Sequence, residues 1–287
     1  MNVFGLLRAL WRWWPARIGL VLLLGFVLVG VGGERLAPYP PEQLAGRPFA
    51  PPSREHWLGT NDIGQDLLSE LIVGARSSLL VGILSATLAT TLGLVVGLLA
   101  GYYRGAIDTI LMRIVDILLV VPFLPLAVVL AAYLGPSLLT LTLVIGLVTW
   151  SRPARLIRAH VLTLQSQEYV LAAHALGVTS LGILRRHLLP GTLTLALIQF
   201  ILGTSQAILI EAALSFLGLG DPTTASWGSM LYYAQARSAF LTGAWPWWVV
   251  PPGASIAILV LSLALVGVGL EARLNPAARN RSASSVR

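Results

Sequence analysis

Residues 77–103 carry no charged side chain, and leucine, valine, alanine and glycine make up most of the run. A bilayer core takes about 20 apolar residues to cross as a helix, because no water is there to satisfy backbone N–H and C=O groups. Once one such run is present, the rest of the chain must be read against a membrane. Six spans are drawn on this basis, at 18–31, 79–100, 114–134, 138–150, 193–214 and 249–270, and the fold class expected is an all-α membrane protein. The first span is short, but Trp11, Trp13 and Trp14 with Arg8, Arg12 and Arg17 stand at its start as interfacial anchors. A cleaved signal peptide is the rival reading of that start, opposed by the lack of an A-x-A site before "ERLAPYP".

Composition agrees with the membrane class. The chain is 56% hydrophobic and 11% charged, with a mean hydropathy of +0.81, against roughly 45–50% apolar and about 25% charged residues in soluble domains. A net charge of +7 would suit nucleic acid in a soluble protein, but the arginines are scattered over the ends of the spans and form no single run, so no nucleic-acid partner is expected. There is no cysteine, which excludes thiolate metal sites, disulfides and thiol nucleophiles. All 19 basic residues are arginine.

Loop charge sets orientation. Between the fourth and fifth spans Arg152, Arg155, Arg158, Arg185 and Arg186 face Glu168 alone, and the tail holds Arg273, Arg279, Arg281 and Arg287. The positive-inside rule places both regions in the cytoplasm. The acidic segment after the first span and the balanced loop after the fifth (Asp221, Arg237) belong outside, so both termini are expected in the cytoplasm. On the second span Ser85, Ala89, Gly93, Gly97 and Gly101 recur every four residues, a stripe that lets another helix approach closely. Pro122 and Pro125 predict a bend in the third span.

The segment "LAAHALGVTSLGILRRHLLPG", 171–191, interrupts this apolar chain with a polar elbow. Ser166 as N-cap, Glu168 in the first turn and Gly177 as a stop predict a helix over about 167–176. Tyr169, Ala172, Ala173 and Leu176 fall at i, i+3, i+4 and i+7, one small apolar face suited to a partner's groove. Ser180 then caps a second helix that Pro190 helps to end. The elbow is either a docking helix-turn-helix or a linker covered by lipid headgroups.

This elbow resembles the coupling loop of ABC-transporter permeases, with its pattern of Glu-Ala-Ala, three residues, Gly, nine residues, Ile, one residue and Leu-Pro. Here Leu171, Ala172 and Ala173 are followed by Gly177 and by His187, Leu188, Leu189 and Pro190; every spacing holds, with Leu171 in place of the Glu and His187 in place of the Ile. The literal "EAA" at 211–213 lies at the outer end of the fifth span and is a decoy. The stretches "HWLGTNDIGQDLLSELIVGARSSLLVG" and "EAALSFLGLGDPTTASWGSML" resemble the second permease subunit of dipeptide, oligopeptide and nickel importers. Gln65 and Glu70 stand where that family often has basic residues.

The resemblance implies a type I importer permease of three parts: 1–74 with an interfacial helix, the first span and an external segment; a core, 75–274, with five spans and the coupling loop 151–190; and a tail, 275–287. It implies a homologous permease partner, two cytoplasmic ATPases and an external solute-binding protein, in the inner membrane. The cargo expected is a peptide, with nickel chelates the alternative. A chain without lysine cannot supply a P-loop, so ATP would be hydrolysed by another chain, and no cofactor is expected. Tyr169, Leu171, Ala172, Ala173, Leu176, Gly177, His187 and Pro190 are the expected ATPase-coupling residues.

Within the fifth span Gln199, Gly203 and Gln206 share nearly one helical face and suit either a polar path or helix–helix glue. Glu211, a carboxylate inside an apolar stretch, is a candidate gate residue with Arg76 or Arg237 as salt-bridge partner. His160, His174 and His187 lack metal-ligand spacing, and no nucleophile elbow or paired-carboxylate signature is present, so neither a metal nor a catalytic residue is expected. Two other classes compete: an ion-coupled secondary transporter, disfavoured because charges crowd the span ends, and a purely structural membrane subunit.

Overall fold

The computed structural model describes residues 13–274. Arg8, Trp11 and Arg12 of the first interfacial anchor, and the tail from residue 275, lie outside the described residues. What is described is almost wholly helical. The first helix, α1, is Trp14–Gly32, with Pro15 in its first turn where a missing N–H does no harm. A loop follows, and then α2, Leu67–Tyr103, α3, Gly105–Val120, and α4, Phe123–Leu134. Next come α5, Leu138–Thr149, α6, Ser151–Gln165, and α7, Glu168–Ala175. The last group is α8, Ser180–Ile183, α9, Leu189–Leu214, α10, Trp227–Ala236, α11, Trp245–Trp248, and α12, Val250–Leu274.

The central element is α2, which packs against α1, α3, α5, α6 and α9. At 37 residues it is about 55 Å long, well beyond a hydrocarbon core of about 30 Å, so it is longer than any bilayer core it crosses. Its start is held by Asp66, whose Oδ2 accepts from Ser69 N at 2.8 Å and Ser69 Oγ at 2.7 Å. The other carboxylate oxygen of Asp66 meets His56 Nδ1 at 2.9 Å.

Among the described residues four helices are long and apolar enough to cross a membrane alone: Trp14–Arg35, Leu67–Tyr103, Ser180–Leu219 and Trp245–Ala272. They contain the first, second, fifth and sixth of the drawn spans. The third is a broken pair, α3 and α4, bent by 91°. The break falls at Pro122, whereas Pro125 sits in the first turn of α4, where a backbone donor is not needed. The fourth drawn span is α5, only 12 residues long. Trp150 keeps helical torsions (φ −64°, ψ −20°) and carries α5 directly into α6. The apolar run looked short because the rod continues past it with arginines on its surface.

The small-residue stripe of α2 has this rod as its partner. Ser85 Oγ donates to Thr142 O at 3.1 Å. Further along, a Cβ on Gly93 would lie 2.7 Å from Pro153 Cβ, one on Gly97 2.7 Å from Ala154 O, and one on Gly101 2.7 Å from Val161 Cγ1. Only the missing side chains let the two backbones approach this closely. The two rods run in the same direction and are welded over their length.

Candidate functional site

The elbow forms where α6 ends. Ser166 Oγ donates to Thr163 O at 2.8 Å and so finishes α6; it does not cap α7. The N-cap of α7 is Gln167, without a side-chain bond. Glu168 occupies the first turn as expected, and Gly177 closes the turn with φ +76°. Thr179, not Ser180, caps the next helix, accepting from Gly182 N at 3.3 Å.

The buried face of α7 is Val170 and Ala173, and Ala172 faces outward. Of the four residues expected to share one face, Ala173 points inward while Tyr169, Ala172 and Leu176 are open. Val170 anchors the inner side because it packs with Ile157, Val161, Ile183, Leu184 and Leu188, which form a core of their own under the elbow. The outer surface keeps large apolar side chains in the open: Tyr169 is 49% exposed, Leu171 54% and Leu176 84%. A Cβ on Gly177 would meet nothing within 4 Å.

Pro190 does not end the second helix. Residues Ser180–Leu219 form one continuous helix, with a π-helical segment, Leu184–Leu188, just before the proline. Proline lacks an N–H and crowds the carbonyl four residues back, and the wider π turn absorbs that defect. The elbow is therefore continuous with the fifth span. His187 lies half-buried with its ring 6.2 Å from that of Tyr169, which brings two residues of the elbow motif together.

Several ties that sequence spacing does not reveal fasten the elbow to its surroundings. Gln165 Nε2 donates to Gly101 O at 3.1 Å and Tyr102 O at 3.0 Å, closing the end of α2. His174 stacks parallel to Tyr102 at 6.2 Å. Arg158 holds Asp108 of α3 through two bonds of 2.5 Å, and Arg155 pairs with Asp116. The hydrogen bond to Asp108 raises the Arg158 guanidinium pKa further above its usual value, burial opposes this, and the charges of Asp108 and Asp116 reinforce it. His160 Nε2 lies 3.3 Å from Gly191 O.

Among the described residues Glu211 is in no salt bridge. It is 1% exposed, with Oε1 accepting from Ser215 Oγ at 2.8 Å and Oε2 from Ser78 Oγ at 3.2 Å. Ser78 Oγ also accepts from Trp227 N at 3.3 Å, so the carboxylate sits in a knot of α2, α9 and α10. Arg237 instead pairs with Asp62 at 3.1 Å, and Arg76 forms no ion pair among the described residues. A carboxylate beside hydroxyl donors needs no cation, which sequence position alone does not disclose.

Gln199, Gly203 and Gln206 are half-buried on α9. The two amides make no side-chain hydrogen bond among the described residues, and a Cβ on Gly203 would lie 3.7 Å from Ala86. At the opposite end of α2 from the elbow, a cavity of about 1010 Å³ opens beside Glu70, Arg76, Asp221 and Arg237. Asp221 lies at its edge; burial pushes this carboxyl up, but bonds from Thr223 Oγ1, Thr223 N and Leu138 N outweigh it and hold its pKa below the usual value. Among the described residues no three His, Asp or Glu side chains are placed to hold a metal ion.

Comparison with known proteins bears on this geometry. Residues 93–280 match the family described as "Binding-protein-dependent transport system inner membrane component". The dipeptide transport system permease of Escherichia coli (strain K12) is 42% identical over 272 residues, covering 91% of this chain and 88% of that one. That of Alkalihalophilus pseudofirmus is 38% identical over 268 residues (91% and 85%). The oligopeptide transport system permease of Bacillus subtilis is 34% identical over 267 residues (92% and 86%).

Proposed function

The chain belongs to the family of binding-protein-dependent transport system inner membrane components, and from that premise we propose that it is one of two permease subunits of an ATP-driven peptide importer. The multi-pass chain crosses six times with both termini in the cytoplasm, the bent α3–α4 pair and the α5–α6 rod completing the count. It pairs with a homologous permease, and Gln199, Gly203 and Gln206 contribute to the path between them. Their amides, which make no side-chain hydrogen bond among the described residues, suit that role. An external binding protein delivers the peptide, and two cytoplasmic ATPase chains supply the work. This chain is a transport subunit, and its lack of lysine leaves the P-loop to those other chains.

One observation carries the coupling role: an uncovered apolar surface, Tyr169, Leu171 and Leu176, stands on a rigid aliphatic core and continues covalently into the fifth span. A helix seated in an ATPase groove by that surface would transmit closure of the ATPase pair as a rigid-body rotation of α6 and α9. Because α6 is welded to α2, three rods would move together.

The test is reconstitution of the four-part complex with its binding protein in vesicles. Peptide uptake should require ATP and be indifferent to collapse of proton and sodium gradients. Uptake driven by an ion gradient without ATP would overturn the mechanism, and full uptake from vesicles lacking this chain would reduce it to a structural role.

A further inference from the structure

The cavity at the start of α2 contains charges that coupling does not use. One wall is a single face of α2, with Glu70, Val73, Ser77 and Leu80 at i, i+3, i+7 and i+10. The same face continues down the helix as Leu84, Thr87 and Thr91, all exposed on this chain, so the cavity opens onto an uncovered strip that leads along the span.

The charges are unequal. Glu34, Glu42, Asp62, Glu70 and Asp221 line the cavity against Arg76 and Arg237. Asp62 is taken by Arg237, and Asp221 by Thr223 and Leu138. What is left includes one carboxyl that burial makes conspicuous: Glu70 lines the cavity, its Oε2 is shut off from solvent with no hydrogen-bond partner, and burial pushes its pKa up to about 7, so that a cation drawn in beside it would restore the charge. A buried acceptor without a donor is costly, and native structures tolerate it where a ligand or water completes it. A metal ion does not fit, since among the described residues no three acidic or histidine side chains converge here. A single free oxygen suits the point donor of an ammonium better than the flat fork of a guanidinium.

Arg76 supplies the complementary charge. It lies six residues further along α2, about 9 Å along the axis, lines the same cavity and forms no ion pair among the described residues. An extended peptide advances about 3.3–3.6 Å per residue, so that axial rise is the length of two or three peptide residues.

We propose that this cavity is a receiving subsite for a short zwitterionic peptide, its ammonium at Glu70 and its carboxylate at Arg76. It rests on the import function proposed above and adds to it a selectivity residing in the permease itself. The peptide enters carboxylate first, with Arg76 deeper along α2 than Glu70.

The test uses the whole permease–ATPase complex without binding protein, so that the only selectivity measured is its own. Labelled trialanine should bind, and unlabelled trialanine should compete at least about tenfold better than N-acetyl-trialanine or trialanine amide, the scale of one charge-assisted hydrogen bond. Glu70→Gln should erase discrimination against the acetylated peptide alone, and Arg76→Gln discrimination against the amide alone. Arg76 is exposed, so the second variant serves as an arm independent of any folding defect in the first. Absence of trialanine binding to the wild-type complex, or equal competition by all three peptides, would overturn the subsite. Loss of ATP-dependent uptake by the complete wild-type system would instead refute the import function. Intact uptake with no binding discrimination would refute the subsite alone.

Discussion

The two ends of α2 are built on opposite plans. At its C-terminal end, aliphatic side chains of α6, α7, α8 and α9 close over one another, and what is left exposed is apolar. At its N-terminal end the chain is held by polar turns. Asn61 Oδ1 accepts from Ile63 N at 3.1 Å and Gln65 N at 2.9 Å, and His56 clasps Asp66. There the leftover groups are charged. An apolar surface on a stiff base suits a protein partner that must push, because close-packed cores transmit displacement rather than absorb it. Unpaired charges in a polar cavity suit a short zwitterionic solute that must be held briefly and released. One long helix joins the two.

That contrast can be broken experimentally. The largest effect is expected from Gly97→Leu, where even a Cβ would meet Ala154 O at 2.7 Å. The weld between α2 and α6 should open, and the purified protein should lose several degrees of Tm or fail to accumulate. Gly25→Ala, where a Cβ meets nothing within 4 Å, is the control and should cost nothing.

Next comes Leu176→Asp. Its side chain is 84% exposed, so thermal stability should hold while ATPase binding and peptide uptake fall at least about 30-fold, as at an interface hot spot. Gly177→Val should act in the same direction. Its backbone at φ +76° strains a β-branched residue although the surrounding space is open. Unchanged uptake in both variants would mean that the elbow is only a linker.

A smaller effect belongs to the bracket between α6 and α3. Arg158→Ala should cost about 1 kcal/mol at most, since the pair is partly exposed, and a double-mutant cycle with Asp108→Asn should recover the coupling. The smallest concerns the rim of the cavity. The folded pKa of Asp221 lies below its unfolded value, which is about 3.9. Its stabilisation is therefore full above that value and is lost as pH falls through the folded one. Asp221→Asn should flatten the acid limb of the thermal-unfolding profile and leave the neutral region little changed.

Much of this molecule was legible before folding. The apolar runs located the long helices, the four-residue stripe announced a close helix contact, and the elbow's helix, turn and Gly177 were all written in local spacing. The errors were local too. Ser166 and Ser180 each lie one residue from a position that accepts a capping role, and a hydroxyl can as readily finish one helix as begin the next. Pro190 was read as a stop because the π turn that accommodates it leaves no sequence mark. On α7 the small-residue period could not say which of two neighbouring alanines turns inward: Tyr169, Ala172 and Leu176 are open, and only Ala173 is buried.

The sequence by itself determined that this chain carries membrane-crossing helices and that an arginine-rich elbow interrupts its apolar runs. Hydropathy and helical period are properties of neighbours along the chain. Only the tertiary structure decided that Asp116 meets Arg155 across 39 residues, that Asp108 meets Arg158 across 50, and that Glu211 finds Ser78 across 133. The stripe's partner and the cavity with its orphaned Glu70 oxygen were decided in the same way. Such pairings depend on how helices dock, and many arrangements of the same helices satisfy the same local preferences equally well.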